Sequence, residues 1–164
     1  MEKGTKVAVL ALNCHRYIEV YYATAKLGAV CVPLNFRLSP DELVYVVNHA
    51  EAEVLLADQA MLPTGVQILP RLDRVRQCIA WEAEEKGWIA YEDLLARSSE
   101  AEPEVEVNEN DLCQLQYTGG TTGMPKGVMI THRNYLTTAI GMGVGREMQP
   151  HYATLQVLPI FHTS

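Results

Sequence analysis

Basic residues, paired cysteines and long apolar runs are all scarce in this sequence, and each shortage removes a class of function. Lysine and arginine number 13 against 20 acidic residues, giving a formal net charge of −7. The acids crowd into residues 82–85 and 100–111. A protein whose main task is to grip nucleic acid or an anionic membrane needs the opposite balance. The four cysteines, Cys14, Cys31, Cys78 and Cys113, form no CxxC pair and read as small reduced hydrophobes of a cytoplasmic protein. His15, His49 and His151 show no metal-ligand spacing. The early apolar stretch VAVLAL breaks at Asn13, too short for a signal peptide. No run approaches the ~20 residues of a membrane span, and no internal repeat is visible.

What remains is ordinary globular material, 48% apolar and 20% charged over 164 residues, enough for one domain or a piece of a larger one. Residues 5–12 form a short β-branched apolar run and predict a buried strand. Asn13 is the expected N-cap of a helix over 14–27, with Ile18, Tyr21, Tyr22 and Ala25 at helical spacing and Gly28 as its stop. A second strand is expected over 29–36. Ser39, Pro40 and Glu42 then spell a capping box opening a helix over 40–50, with Leu43, Val46, Val47 and Ala50 on its buried face. A third strand follows at 53–58. This alternation predicts an α/β fold, a Rossmann-like doubly wound and mainly parallel sheet. Residues 61–97 are less regular, with a strand expected at 77–81 and a short helix at 91–97. Residues 98–110 are acidic and read as a solvated connector between a first unit, 1–97, and a second, 111–164. The second unit is expected to run strand (111–118), loop, strand (127–131), helix (132–147), strand (154–159).

The loop of that second unit, TGGTTGMPKG over residues 118–127, carries the chemistry. Glycines after a strand let backbone N–H groups approach an anion without Cβ obstruction. Threonine hydroxyls add donors or ligands for a divalent cation, and a lysine adds a mobile positive charge. The set suits a polyphosphate such as ATP. It is not a Walker A loop, because Lys126 is followed by Gly127 rather than Ser or Thr. It is not a Rossmann fingerprint either, because Gly119, Gly120 and Gly123 are wrongly spaced and strand-like residues follow them.

The longer stretch YTGGTTGMPKGVMITHRN resembles the phosphate-loop signature of adenylate-forming enzymes, which include acyl-CoA synthetases, luciferases and the adenylation domains of peptide synthetases. Thr118, Gly120, Thr121, Thr122, Gly123, Pro125, Lys126, Gly127, Thr131 and His132 fall on that pattern. Gly119 departs from it, standing where serine is usual, and the Tyr-Thr-Gly-Gly form resembles the fatty-acyl-CoA synthetase branch. Residues 6–58 resemble the family's N-terminal half-domain, and VLPIFHTS resembles its Pro-x-Phe-His segment. The resemblance implies ATP with Mg2+, a carboxylic acid, expected to be a fatty acid, and coenzyme A as co-substrate. It implies phosphate binding by Thr118, Gly119, Gly120, Thr121, Thr122, Gly123 and Lys126, a magnesium contact at Thr121, and His162 near the carboxylate end of the acyl pocket.

The family's later motifs would lie beyond Ser164, so the chain is expected to be a fragment of such a ligase's N-terminal domain. Carboxylate-dependent pyrophosphate release is not expected from it alone. Open sheet edges and apolar surface are expected to favour self-association. Two other readings stand beside this one: an aryl or amino-acid adenylating ligase, and a non-catalytic module that binds polyphosphate. Several features have structural readings. GMGVG at residues 141–145 falls inside the expected helix and reads as close packing or a helix end, the tyrosines of the first helix read as core, and Arg71, Arg74 and Arg76 as a solvated face.

Overall fold

The computed structural model describes residues 1–120, 123–147, 149, 151–153 and 155–162. The described strands and α-helices are β1 (Lys6–Leu10), α1 (His15–Lys26), β2 (Val30–Pro33), α2 (Pro40–His49), β3 (Val54–Asp58), α3 (Leu62–Ile68), β4 (Gln77–Trp81), β5 (Ile89–Ala90), α4 (Tyr91–Arg97), β6 (Leu112–Gly120), β7 (Gly123–Thr131) and α5 (His132–Gly145), with a 3-10 turn at Leu69–Arg71 after α3. Seven strands form one sheet in the order β5-β4-β3-β1-β2-β6-β7. Every neighbouring pair is parallel except β6–β7, which is antiparallel. None of the described helices is long and apolar enough to cross a membrane.

The centre of the sheet is buried on both faces, which is why β1, β2 and β3 read as continuous apolar runs. One face packs Val7, Val9, Cys31 and Trp81 under Tyr17 and Val20 of α1. The other packs Ala8, Leu10, Val32 and Leu55 under Leu43, Val46 and Val47 of α2. At the carboxyl ends of β1 and β3 the buried Asp58 accepts the N–H groups of Leu12 (2.8 Å) and Met61 (2.7 Å). Those bonds answer a carboxylate that would otherwise be costly to bury.

The capping box of α2 forms as its residues predict. Ser39 Oγ accepts from the Glu42 N–H, and the Glu42 carboxylate accepts from Ser39 N–H (2.8 Å) and Oγ–H (2.7 Å). Four expectations are corrected. Asn13 does not cap α1: Cys14 is the N-cap, without a side-chain cap bond, and Asn13 bonds elsewhere. The buried stripe of α1 is Tyr17, Val20 and Thr24, while Ile18 and Tyr22 are exposed. The third is helix α3, hidden in the sequence by Pro63 and Gly65. Gly65 is there for packing, since a Cβ would come within 2.9 Å of the Trp88 ring. Last, no strand forms among the described residues of 154–159; Asn13 answers the Leu158 carbonyl and the Ile160 N–H just beyond in place of a ladder. Connector 98–110 holds no element, yet it is tethered where it passes the sheet's amino edge. Lys3 donates to the Glu106 carbonyl (2.9 Å), and Lys26 pairs with Glu102.

Two substitutions test these local accounts. Ser39→Ala should cost about 1 kcal/mol in urea unfolding at neutral pH. Hydrogen bonds from Ser39 hold the Glu42 carboxyl below its ordinary 4.5, so that contribution is present above this pH and is lost as pH falls through the lowered folded value. The Ser39→Ala penalty should therefore shrink in acid, and a pH-independent penalty would contradict the reciprocal bond. In the hairpin, a Cβ on Gly127 would lie 3.1 Å from Tyr117 Cζ. Gly127→Ala should destabilise the fold by about 1–3 kcal/mol. Most of that loss should disappear in a Tyr117→Ala background, and an equal loss in both backgrounds would reject the ring-over-glycine packing.

Candidate phosphate-binding hairpin

β6 lies parallel to β2, with Cys31 opposite Gln114. The hairpin turn between β6 and β7 therefore emerges at the carboxyl edge of the parallel strands, alongside the chain leaving β1 and β2. Across the hairpin Thr118 faces Lys126 and Gly120 faces Gly123, with a register irregularity between Thr118 and Gly120. Such an irregularity re-aims a strand end. Thr118, Gly119, Gly123 and Lys126 are all exposed. A Cβ added at Gly119 or Gly123 would meet no atom of the described residues within 4 Å, chain neighbours aside. Internal packing among the described residues thus does not account for those two glycines, whereas Tyr117 accounts for Gly127. Thr121 and Thr122, expected phosphate contacts, and Thr121 as magnesium contact, lie outside the described residues. The structure brings the remaining hairpin residues, Thr118, Gly119, Gly120, Gly123 and Lys126, to one tip.

The base of the hairpin is anchored on the α2 side. The Tyr117 hydroxyl sits 2.7 Å from His49 Nδ1, and the two rings meet edge to face at 5.8 Å. Burial pushes the Tyr117 phenol up to about 12, so it stays protonated at neutral pH. Pro125 is buried in β7, an outer strand of the sheet, where a missing N–H costs no ladder bond. Beyond β7, Thr131 and Asn134 form a second capping box that starts α5. His132 opens that helix with its N–H donated to the Asp111 carbonyl (3.2 Å). Lys3, bonded to Asp111 at 2.7 Å, holds that carboxyl below its ordinary range.

A second group of residues gathers on the α1 side. Side chains alternate along β6, so Gln114, Gln116 and Thr118 share one face and Leu115 and Tyr117 the other. Lys126, opposite Thr118, shares the first face. On that face Gln116 Nε2 donates to the Phe161 carbonyl (2.5 Å), Gln114 bonds Gln116, and the Tyr135 hydroxyl bonds Gln114. Phe161 is buried and meets Phe36 edge to face at 5.2 Å. Tyr21 donates to the Ile160 carbonyl (3.0 Å), and Asn13 bonds both Leu158 and Ile160 (2.8 Å each). Burial raises the Tyr21 and Tyr135 phenols far above their ordinary range, so both remain donors. His162 follows directly, exposed, with its N–H donated to the Pro159 carbonyl (3.1 Å).

Sequence reasoning did not find the roles of Asn13, His49, Gln114 and Gln116. A signal for the glutamines was present: two amides at i and i+2 in a strand expected to be buried must find polar partners on one face. Other candidates fall outside the site. Arg71, Arg74 and Arg76 pair with Asp41, Glu51 and Glu53 at the surface. GMGVG ends α5. No group of three or more His, Cys, Asp or Glu able to hold a metal occurs among the described residues.

Comparison with known proteins bears on the family and the fold. The family profile described as AMP-binding enzyme matches residues 1–164. The long-chain-fatty-acid–CoA ligase of Thermus thermophilus is 38% identical over 98% of this chain and 30% of its own length. The crystal structure of a long-chain-fatty-acid-CoA ligase from Archaeoglobus fulgidus superposes with a TM-score of 0.88 at 29% identity, covering 99% of this chain and 32% of that one. ATP-bound MatB from Rhodopseudomonas palustris superposes with a TM-score of 0.83 at 26% identity, covering 99% and 32%. The chain thus spans about 30% of the length of the curated relative. A profile match over the whole chain, on a fold shared with solved ligases, shows that this chain belongs to the AMP-binding enzyme family.

Proposed function

We propose that this chain is the phosphate-gripping part of an ATP-dependent acyl-CoA ligase acting on a fatty acid. The observation that carries the reading is the shared face of β6–β7. Thr118 and Lys126 point to the same side as the segment ending in His162. The parent reaction joins a carboxylate oxygen to the α-phosphorus of ATP, releasing pyrophosphate; the thiol of coenzyme A then displaces AMP from the acyl carbon. The hairpin's task in that scheme is positioning and charge neutralisation. Backbone N–H groups at Gly119, Gly120 and Gly123 and the hydroxyls of Thr118, Thr121 and Thr122 orient the β- and γ-phosphates. Lys126 offsets the charge that grows on the leaving pyrophosphate. Mg2+, when bound, shields the phosphate oxygens, and Thr121 is the residue assigned to it. His162 takes the carboxylate end.

The identity to a long-chain-fatty-acid–CoA ligase favours a fatty acid over an aryl or amino acid. Residues 1–97 then act as scaffold and 111–164 as the site-bearing unit, joined by 98–110. The unpaired Cys31 and Cys78, both buried, fit a reducing compartment, and the cytoplasm is the location proposed.

Calorimetric titration of the chain with ATP tests the grip. Lys126→Ala should weaken binding by about tenfold or more, the equivalent of about 1.4 kcal/mol. Equal affinities for the two proteins would remove Lys126 and the hairpin from phosphate binding.

A further inference from the structure

We propose that Asn13 and Gln116 are positioning residues that fix the His162 segment against the sheet and, through Gln116, register it to the phosphate hairpin. The functional half of this statement rests on the ligase reading; the positional half does not. Residues 158–162 belong to no strand or helix. Their backbone polar groups must therefore be answered by something other than a ladder. Gln156, just before the segment, donates to the Leu158 carbonyl (2.9 Å), and three further side chains from three different parts of the fold answer them. Asn13, just after β1, accepts the Ile160 N–H on Oδ1 and donates from Nδ2 to the Leu158 carbonyl, each at 2.8 Å. Tyr21 of α1 donates to the Ile160 carbonyl (3.0 Å). Gln116 of β6 donates to the Phe161 carbonyl (2.5 Å).

A packing role alone does not require this arrangement. Phe161 is already buried beside Phe36 and would hold the segment by its apolar area. The amides add direction. Asn13 braces the backbone at two points, two residues apart, which sets the segment's orientation as well as its contact. Gln116 is itself oriented, because its amide oxygen accepts from Gln114, whose own oxygen accepts from Tyr135 of α5. Gln116 also stands one pleat repeat, about 7 Å, before Thr118 on the same face of β6. The carbonyl next to His162 is thus bonded to the strand that carries the phosphate contacts. A shift of one is a shift of the other.

Residue-resolved amide exchange on the 164-residue chain tests this directly, with no ligand required. In Asn13→Ala, exchange of the Ile160 amide should quicken by about fivefold or more, the worth of one hydrogen bond. The β1 amides of Ala8 and Val9 should keep their protection. Asn13→Asp retains the acceptor and should keep Ile160 exchange slow, whereas Asn13→Leu, similar in size but without an acceptor, should exchange as fast as Asn13→Ala; slow exchange in Asn13→Leu would mean that the side chain only fills space and would overturn the proposal. Gln116→Met should quicken Ile160 as well, with β1 unchanged. Unchanged Ile160 exchange in Asn13→Ala would overturn the proposal, as would a parallel loss of protection across β1. A separate titration of the unsubstituted chain with tripolyphosphate decides the phosphate reading by itself. Failure there would remove the phosphate-gripping role of the hairpin and leave the exchange result to judge the brace.

Discussion

The pairing of β6 on β2 is the constraint on which the site depends. β2 is a short, fully buried strand, and β6 is the only partner on its outer side among the described residues. Because that pairing is parallel, β6 ends where β1 and β2 end, and its glycine-rich turn opens at the carboxyl edge of the sheet. An antiparallel arrangement would send the same turn to the opposite edge, beside Lys3 and the acidic connector. The antiparallel return of β7 then places Lys126 across from Thr118. One junction between a parallel and an antiparallel ladder therefore decides which face, and which end, the loop chemistry occupies.

Polar burial follows from the same junction. A strand joining an open sheet with one side against α1 would ordinarily present apolar side chains there. β6 presents Gln114 and Gln116, both nearly fully buried. An unanswered buried amide costs about 1–3 kcal/mol, so the retention of two calls for partners. They find each other, Tyr135 and the Phe161 carbonyl. Asp58 follows the same rule at the ends of β1 and β3, where two backbone N–H groups absorb its charge. The acidic balance of the whole chain is compatible with the proposed anion site, because several of the acids are paired elsewhere. Glu82, Glu92, Glu102 and Glu109 are each paired with a surface cation away from the hairpin tip.

Much of the fold was legible because local signals and tertiary demand coincide there. β1, β2 and β3 are buried on both faces, and α2 carries its own start signal in Ser39, Pro40 and Glu42. The apolar stripe of α2 also matched its buried face. Legibility failed where tertiary contact overrides local preference. α3 exists despite Gly65 because Trp88 needs that space. Asn13 looks like a helix cap, yet its amide reaches a segment about 145 residues away in the chain. The apolar run before Pro159 looks like a strand, but side chains rather than a ladder hold its end. For the site, the loop's composition raises the polyphosphate expectation, since glycine, threonine and lysine act through backbone and charge. The brace from β6 to the His162 segment was not legible, because long-range hydrogen bonds leave no periodicity.

The central claim is that the hairpin tip is an anion site displayed by this sheet. Mapping amide chemical shifts of the chain during a tripolyphosphate titration tests it most directly. The account predicts saturable, concerted shifts at Gly119, Gly120, Gly123 and Lys126, with the amides of β3 and β4 unmoved. Shifts centred on Arg71, Arg74 and Arg76 with the hairpin unchanged, or no saturable shift at the hairpin at all, would contradict it.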